Sequence, residues 1–326
     1  MRRVKRILII YMKTLRRKTH KNKNKSKIKI KGGSTKKRKT KIKIKTKINC
    51  SPKPKDEINN FSCYTTHSLI KLRNKWNARH PDSKITSNNP KEIHHSLTEF
   101  MKHICNNEAC WLKQSNVLGT VANDNELTES FAPESPPEWK NNPNEWLTSV
   151  DIMKVMKQYE KAYKCFDFIG PSPINFDTKR LHGECVWDEL CNFSLQKQLD
   201  SGKHKIGIIF NTDDDKGPGQ HWISMFVNLK KNIVFFFDSV GDPAPKEITV
   251  LVKRIIEQGK KIGLDIKYDS NEGIEHQYGN TECGMYSIYF IIHMLEDKLT
   301  EDYIKTHILK DEYMEKFRKV YFNHSL

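Results

Sequence analysis

At 326 residues the chain can bury one large core or two smaller ones, so a minimal peptide fold is excluded. Its formal charge of +18 is unevenly placed: residues 1–60 hold 24 Lys and Arg against Asp56 and Glu57, and the remainder holds 33 against 37 Asp and Glu. The composition predicts a near-neutral globular part carrying a polycationic arm. Eight cysteines follow no repeating frame, and no secretory leader pattern is visible ahead of them. That argues against a disulfide scaffold and for a reducing compartment. The apolar run from Ile7 to Met12 is too short to span a bilayer and lacks a cleavage-site pattern.

Residues 1–58 alternate Lys with Ile, Thr and Asn, as in Lys41-Ile42-Lys43-Ile44-Lys45. Self-repulsion and scarce large apolar side chains predict a disordered arm. Such an arm can grip nucleic acid phosphates, with strong salt dependence, or serve as a localisation tract or a solubilising tail. Within it lies Ile30-Lys31-Gly32-Gly33-Ser34.

Residues 59–115 read as a small helical module. Leu69, Leu72 and Trp76 share one helix face, Pro81 breaks that helix, and Ile93, Leu97, Phe100, Met101 and Ile104 mark a second. Cys63, Cys105, Cys110 and His103 raise a zinc reading, but Cys-x₄-Cys without a second pair is a weak metal signature, and none is assigned. Residues 116–145 are polar and rich in proline, which predicts a linker.

From Trp146 to residue 326 the pattern is that of one α+β domain. Val150, Ile152, Met153, Val155, Met156 and Tyr159 predict an opening helix. Ile206 to Phe210 reads as a buried strand, and Trp222 to Leu229 with Ile233 to Phe237 as a hairpin closed by Lys230-Lys231-Asn232. Ile248, Leu251, Val252, Ile255 and Ile256 form a helical stripe, and Leu264 to Tyr268 a short strand. Cys283 then ends a polar loop and opens the apolar run from Tyr286 to Leu295, which puts its sulfur at a helix N-terminus. Unpaired N–H groups there favour negative charge, which suits a nucleophile. The competing reading is a buried, inert cysteine.

The hairpin decides between them. His221 opens its first strand and Asp238 closes its second, so antiparallel pairing brings the two ends together. A carboxylate beside an imidazole orients it and stabilises its protonated form. Gln277 offers a side-chain amide just ahead of Cys283, whose own N–H is a second oxyanion donor.

His-Trp, an Asp on the next strand, then Gln-x₅-Cys-Gly resembles the cysteine proteases of the SUMO-deconjugating and adenain group. Within it the chain looks most like the processing proteases of large DNA viruses. The resemblance covers roughly residues 146–310. It implies a papain-like arrangement of the ubiquitin-like-protein protease type, with a central mixed sheet and a helix carrying the Cys. It also implies a His221–Asp238–Cys283 triad, with Gln277 in the oxyanion hole. Trp146-Leu147 resembles the Trp-Leu that starts the family's domain, so Trp146 and Trp222 are expected to wall a channel for substrate glycines. Glu282 departs from the Asp that many relatives carry before the Cys. By the same likeness, Gly32 and Gly33 form a candidate self-cleavage site.

These readings together predict a viral thiol endopeptidase that cuts precursor proteins after Gly-Gly, in the virion or the host cytoplasm, with no metal or organic cofactor and no membrane span. Two alternatives stand: a protease of SUMO or ubiquitin conjugates, and a nucleic-acid-binding virion protein with a relic protease fold.

Overall fold

The computed structural model describes residues 48–121 and 124–324. Most of the expected arm therefore lies outside the described residues. Its last part, from Ile48, is packed: Asn49 exchanges hydrogen bonds with Asn323, and Ser51 N–H donates to the Ser130 carbonyl at 3.1 Å.

Among the described residues the helices of more than ten residues are α1 (Thr66–Arg79), α2 (Pro90–Met101), α3 (Ser149–Ala162), α4 (Lys246–Lys261), α5 (Cys283–Leu295) and α6 (Asp311–Tyr321). Thr65 caps α1 by accepting from Ser68 N–H, and Pro81 follows its end as expected. Helix α3 opens with a reciprocal capping box between Thr148 and Asp151.

One five-stranded sheet runs in the order β1 (Phe166–Pro173), β2 (Lys205–Asn211), β3 (Trp222–Asn228), β4 (Ile233–Phe237) and β5 (Lys267–Ser270). The outer pairs are parallel and the inner pairs antiparallel, so the sheet is mixed. Successive residues supply opposite faces. Trp222, Phe226, Phe235 and Phe237 pack with α3, α5 and α6, whereas Ile223, Met225, Val234 and Phe236 pack with α4. Burial on both faces explains the unbroken Phe235-Phe236-Phe237 run. Helix α5 is apolar nearly all round because it lies inside the molecule rather than on it.

The β5 strand begins at Lys267, later than the run from Leu264 suggested. Residues 116–145, expected as a linker, instead hold short helices at Asn125–Thr128 and Pro137–Lys140. They bury Leu118, Val121, Leu127 and Phe131 in the same core as Leu69, Leu72 and Trp76. Pro136-Pro137 starts a helical turn that carries Trp139 into the core rather than spacing two bodies.

The cysteine expectation needs correction. Cys50–Cys63, Cys105–Cys110 and Cys185–Cys191 are disulfides, leaving Cys165 and Cys283 free. Their Cα atoms lie 5.0, 5.5 and 6.2 Å apart, within bridging range. Each pair is local in the chain, and turns that composition does not report bring its partners together. Cys63, Cys105 and Cys110 are thus spent on sulfur–sulfur bonds.

Candidate active site

The β3–β4 register sets Ser224 opposite Phe237. His221 just before β3 and Asp238 just after β4 therefore leave the sheet at one edge. His221 Nε2 meets Asp238 Oδ1 at 2.7 Å. The Asp238 carboxylate is buried and held from several sides. Its Oδ1 also accepts from Val240 N–H at 3.0 Å, while Asn271 accepts from Asp238 N–H and donates to its carbonyl. Asn271 follows β5, so the parallel β4–β5 pairing places this clasp.

With Nε2 engaged by Asp238, the other ring nitrogen of His221 is left free, and Cys283 is near enough to act on the ring. Burial, the largest single influence, pulls the His221 pKa down. The hydrogen bonds and charges of Asp238 and Cys283 outweigh it and push the pKa up to about 10. The ring therefore holds its proton, and with it a positive charge, at neutral pH.

Cys283 is the first residue of α5 and is buried. Gly284 lets the helix end approach its neighbours: a Cβ there would lie 3.1 Å from Leu147 Cβ and 3.2 Å from Trp222 Cδ1. Trp222 Nε1 donates to the Leu147 carbonyl at 3.0 Å, fixing the indole beneath the nucleophile's turn. Trp146 is 40% exposed, and both tryptophans line one cavity of about 740 Å³. Gln277 is buried, and its Oε1 accepts from Ser239 Oγ at 2.7 Å. That bond sets which end of the amide is which. Nε2 donates to the Gly279 carbonyl at 3.1 Å, leaving its second N–H available.

Glu282, the residue that departs from the family's Asp, forms a buried ion pair with Arg318 of α6. Arg318 Nε lies 3.0 and 2.9 Å from the two carboxylate oxygens. The same guanidinium donates to the carbonyls of Glu145, Asn144 and Thr281 and lies over the Trp139 ring. One cation thus ties the loop before Cys283 to the loop before Trp146. Burial pushes the Glu282 carboxyl up, against the pull of Arg318. Nothing in the sequence marked Arg318, Ser239 or Asn271. Each is an ordinary polar residue whose value depends on partners 36, 38 and 33 positions away. Gly32 and Gly33 lie outside the described residues.

A buried carboxylate, an imidazole and a helix-start sulfur on an α+β scaffold define a thiol hydrolase. The family described as the Ulp1 protease family, C-terminal catalytic domain, matches residues 143–325, and the chain belongs to it. It is accordingly a cysteine protease that acts on protein substrates. It is 29% identical over 289 residues to a candidate thiol protease of Acanthamoeba polyphaga mimivirus, covering 83% of this chain and 92% of that protein. Over 245 residues it is 27% identical to a cysteine protease of African swine fever virus, covering 70% and 88%. The crystal structure of the African swine fever virus protease superposes with a TM-score of 0.60 at 22% identity, covering 85% of this chain and 96% of that one, so the two share a fold. Among the described residues no helix is long and apolar enough to cross a membrane.

Proposed function

We propose that this chain is a viral processing protease that cuts precursor proteins after Gly-Gly, with Cys283 as nucleophile, His221 as acid and base, and Asp238 as the group that orients His221. The observation that carries the reading is the His221 ring, bound on one nitrogen by buried Asp238 and near enough to Cys283 for that residue to help raise its pKa. The Cys283 thiolate attacks the carbonyl carbon of the second glycine. The His221 imidazolium then gives its proton to the departing amine, leaving an acyl-enzyme thioester. Water adds next, His221 takes its proton, and the thioester opens to a free carboxylate and Cys283. The Gln277 amide and the Cys283 N–H receive the oxyanion. Trp146 and Trp222 wall the approach, and a narrow aromatic channel passes only residues without side chains, which gives a Gly-Gly preference a steric origin.

In this reading residues 146–326 form the protease domain, preceded by a helical module whose core includes Leu118, Leu127 and Phe131. The basic arm, ahead of the packed residues that begin at Ile48, holds the enzyme to nucleic acid at sites of viral assembly, in the virion or the host cytoplasm. Gly32-Gly33 in that arm is a site the enzyme can cut in itself.

The test is hydrolysis of a short Gly-Gly-X peptide by wild type and by Cys283→Ala. Cleavage by wild type alone, with the new terminus after the second glycine, supports the reading. An intact peptide with wild type, or equal cleavage by the variant, overturns it. Turnover of a SUMO fusion far above that of the short peptide would favour deconjugation instead.

A further inference from the structure

We propose that the cleft lined by Trp146 and Trp222 selects polypeptides carrying lysine or arginine just upstream of the Gly-Gly pair, and that a peptide with the sequence of residues 27–33 is one such ligand. The inference rests on the Gly-Gly reading and adds the substrate's charge class to it.

The cavity lined by Trp146 and Trp222 extends to further walls, so a peptide whose glycines lie against the two indoles brings its neighbouring residues against them. Its walls offer two surfaces. Pro171, Val186 and Trp187 provide apolar contact, and Glu138, Glu145 and Asp214 provide carboxylates. Two other carboxylates of the cleft are already occupied. Asp215 meets Arg180 Nη2 at 3.0 Å and Asn175 Nδ2 at 2.8 Å, and Asp151 accepts from the N–H and hydroxyl of Thr148. Glu138, Glu145 and Asp214 have no cationic partner among the described residues. Asp214 accepts only Lys216 N–H at 2.9 Å, and Glu145 accepts Asn142 Nδ2 and Trp146 N–H. Those bonds hold the carboxylates in place without neutralising them. Among the described residues Arg180 is the cleft's one cation, and Asp215 engages it. A concave wall of one sign concentrates its field and attracts the opposite charge.

The acidity is local, because the chain outside residues 1–60 is close to neutral. The arm supplies its complement. Lys27-Ile28-Lys29-Ile30-Lys31 runs directly into Gly32-Gly33. An extended peptide sends alternate side chains to opposite sides, so the three lysines share one edge and the two isoleucines the other. Such a strand carries one face for carboxylates and one for Val186 and Trp187. The same alternation that keeps the arm polycationic makes it a two-faced ligand for this cleft.

The experiment compares kcat/KM of the full chain on Lys-Ile-Lys-Ile-Lys-Gly-Gly-Ser-Thr with that on the same peptide carrying Gln for each Lys. At low salt the lysine peptide should be favoured about tenfold, mainly through KM, and the ratio should fall towards one as salt screens the cleft. Asp214→Asn combined with Glu145→Gln should shrink the low-salt ratio several-fold, and intact-mass analysis of wild type should show loss of residues 1–33. Equal turnover of the two peptides, or a ratio untouched by the double substitution, overturns the inference while leaving the Gly-Gly reading intact. If neither peptide is cut, the Gly-Gly reading fails first.

Discussion

The module built from residues 48–131 and the sheet edge around Cys283 are stabilised by different chemistry. In the module, Cys50–Cys63 and Cys105–Cys110 staple the backbone, and Tyr64, Leu69, Trp76, Leu97, Trp111 and Leu127 fill an apolar core. Its buried polar side chains are serines. At the sheet edge, Asp238, Asn271, Gln277, Glu282 and Arg318 are all buried within a few residues of the candidate site or in direct contact with it. A buried charge or amide is costly unless each of its bonds is satisfied, so these groups hold one another in a single arrangement. The contrast indicates that the module is optimised for cohesion and the sheet edge for placing atoms.

Arg318→Ala should break the comparison most severely. It leaves Glu282 buried without a partner, at a cost of about 3–5 kcal/mol, and releases both the loop before Cys283 and the loop before Trp146. Thermal unfolding should show the loss, and kcat should fall even at temperatures where the variant is folded. Unchanged melting would mean that the buried Glu282–Arg318 pair does not stabilise the fold.

Gln277→Ala follows. Removing an oxyanion donor typically costs about 10²–10³ in kcat, read by single-turnover hydrolysis with KM little altered. A loss confined to KM would move Gln277 from the reacting carbonyl to substrate binding.

Cys50→Ser with Cys63→Ser tests the other region. Opening that staple should lower stability by about 2–3 kcal/mol while kcat on a short peptide stays near wild type well below the melting point. A loss of kcat matching that of Arg318→Ala would show that the two regions work as one.

The mildest effect is on pH. The His221 pKa is raised from about 6.5 in the unfolded chain to about 10 in the folded one. The native state therefore binds more protons between these values, so the stabilisation from His221 is full below pH 6.5 and is lost as pH rises towards 10. Asp238→Asn removes a group that raises this pKa, so the alkaline limb of kcat/KM should move to lower pH. An unmoved limb would assign it to another group.

The boundary between what could be read early and what could not follows the range of the interactions. Helix α1, the β3–β4 hairpin and the start of α5 are written in local periodicity and in breakers such as Pro81, and each sits within a few residues of its expected position. Strand β1 escaped notice because Gly170 and Pro171 interrupt a run that pairs in parallel with the distant β2. Residues 116–145 looked like a linker because their few apolar side chains, Leu118 and Leu127 among them, are scattered between polar ones.

Residue order alone determined the α+β class, the separation of charge between arm and globular part, and the candidacy of His221, Asp238 and Cys283. Hairpin pairing and helix starts are local events that short stretches encode. Only the tertiary structure decided that Asn271 clasps Asp238, that Ser239 turns the Gln277 amide, that Arg318 joins two loops, and that six cysteines meet in pairs. Each of these depends on where two chain segments come to rest against each other, and the burial that makes the contact valuable exists only once the core has closed.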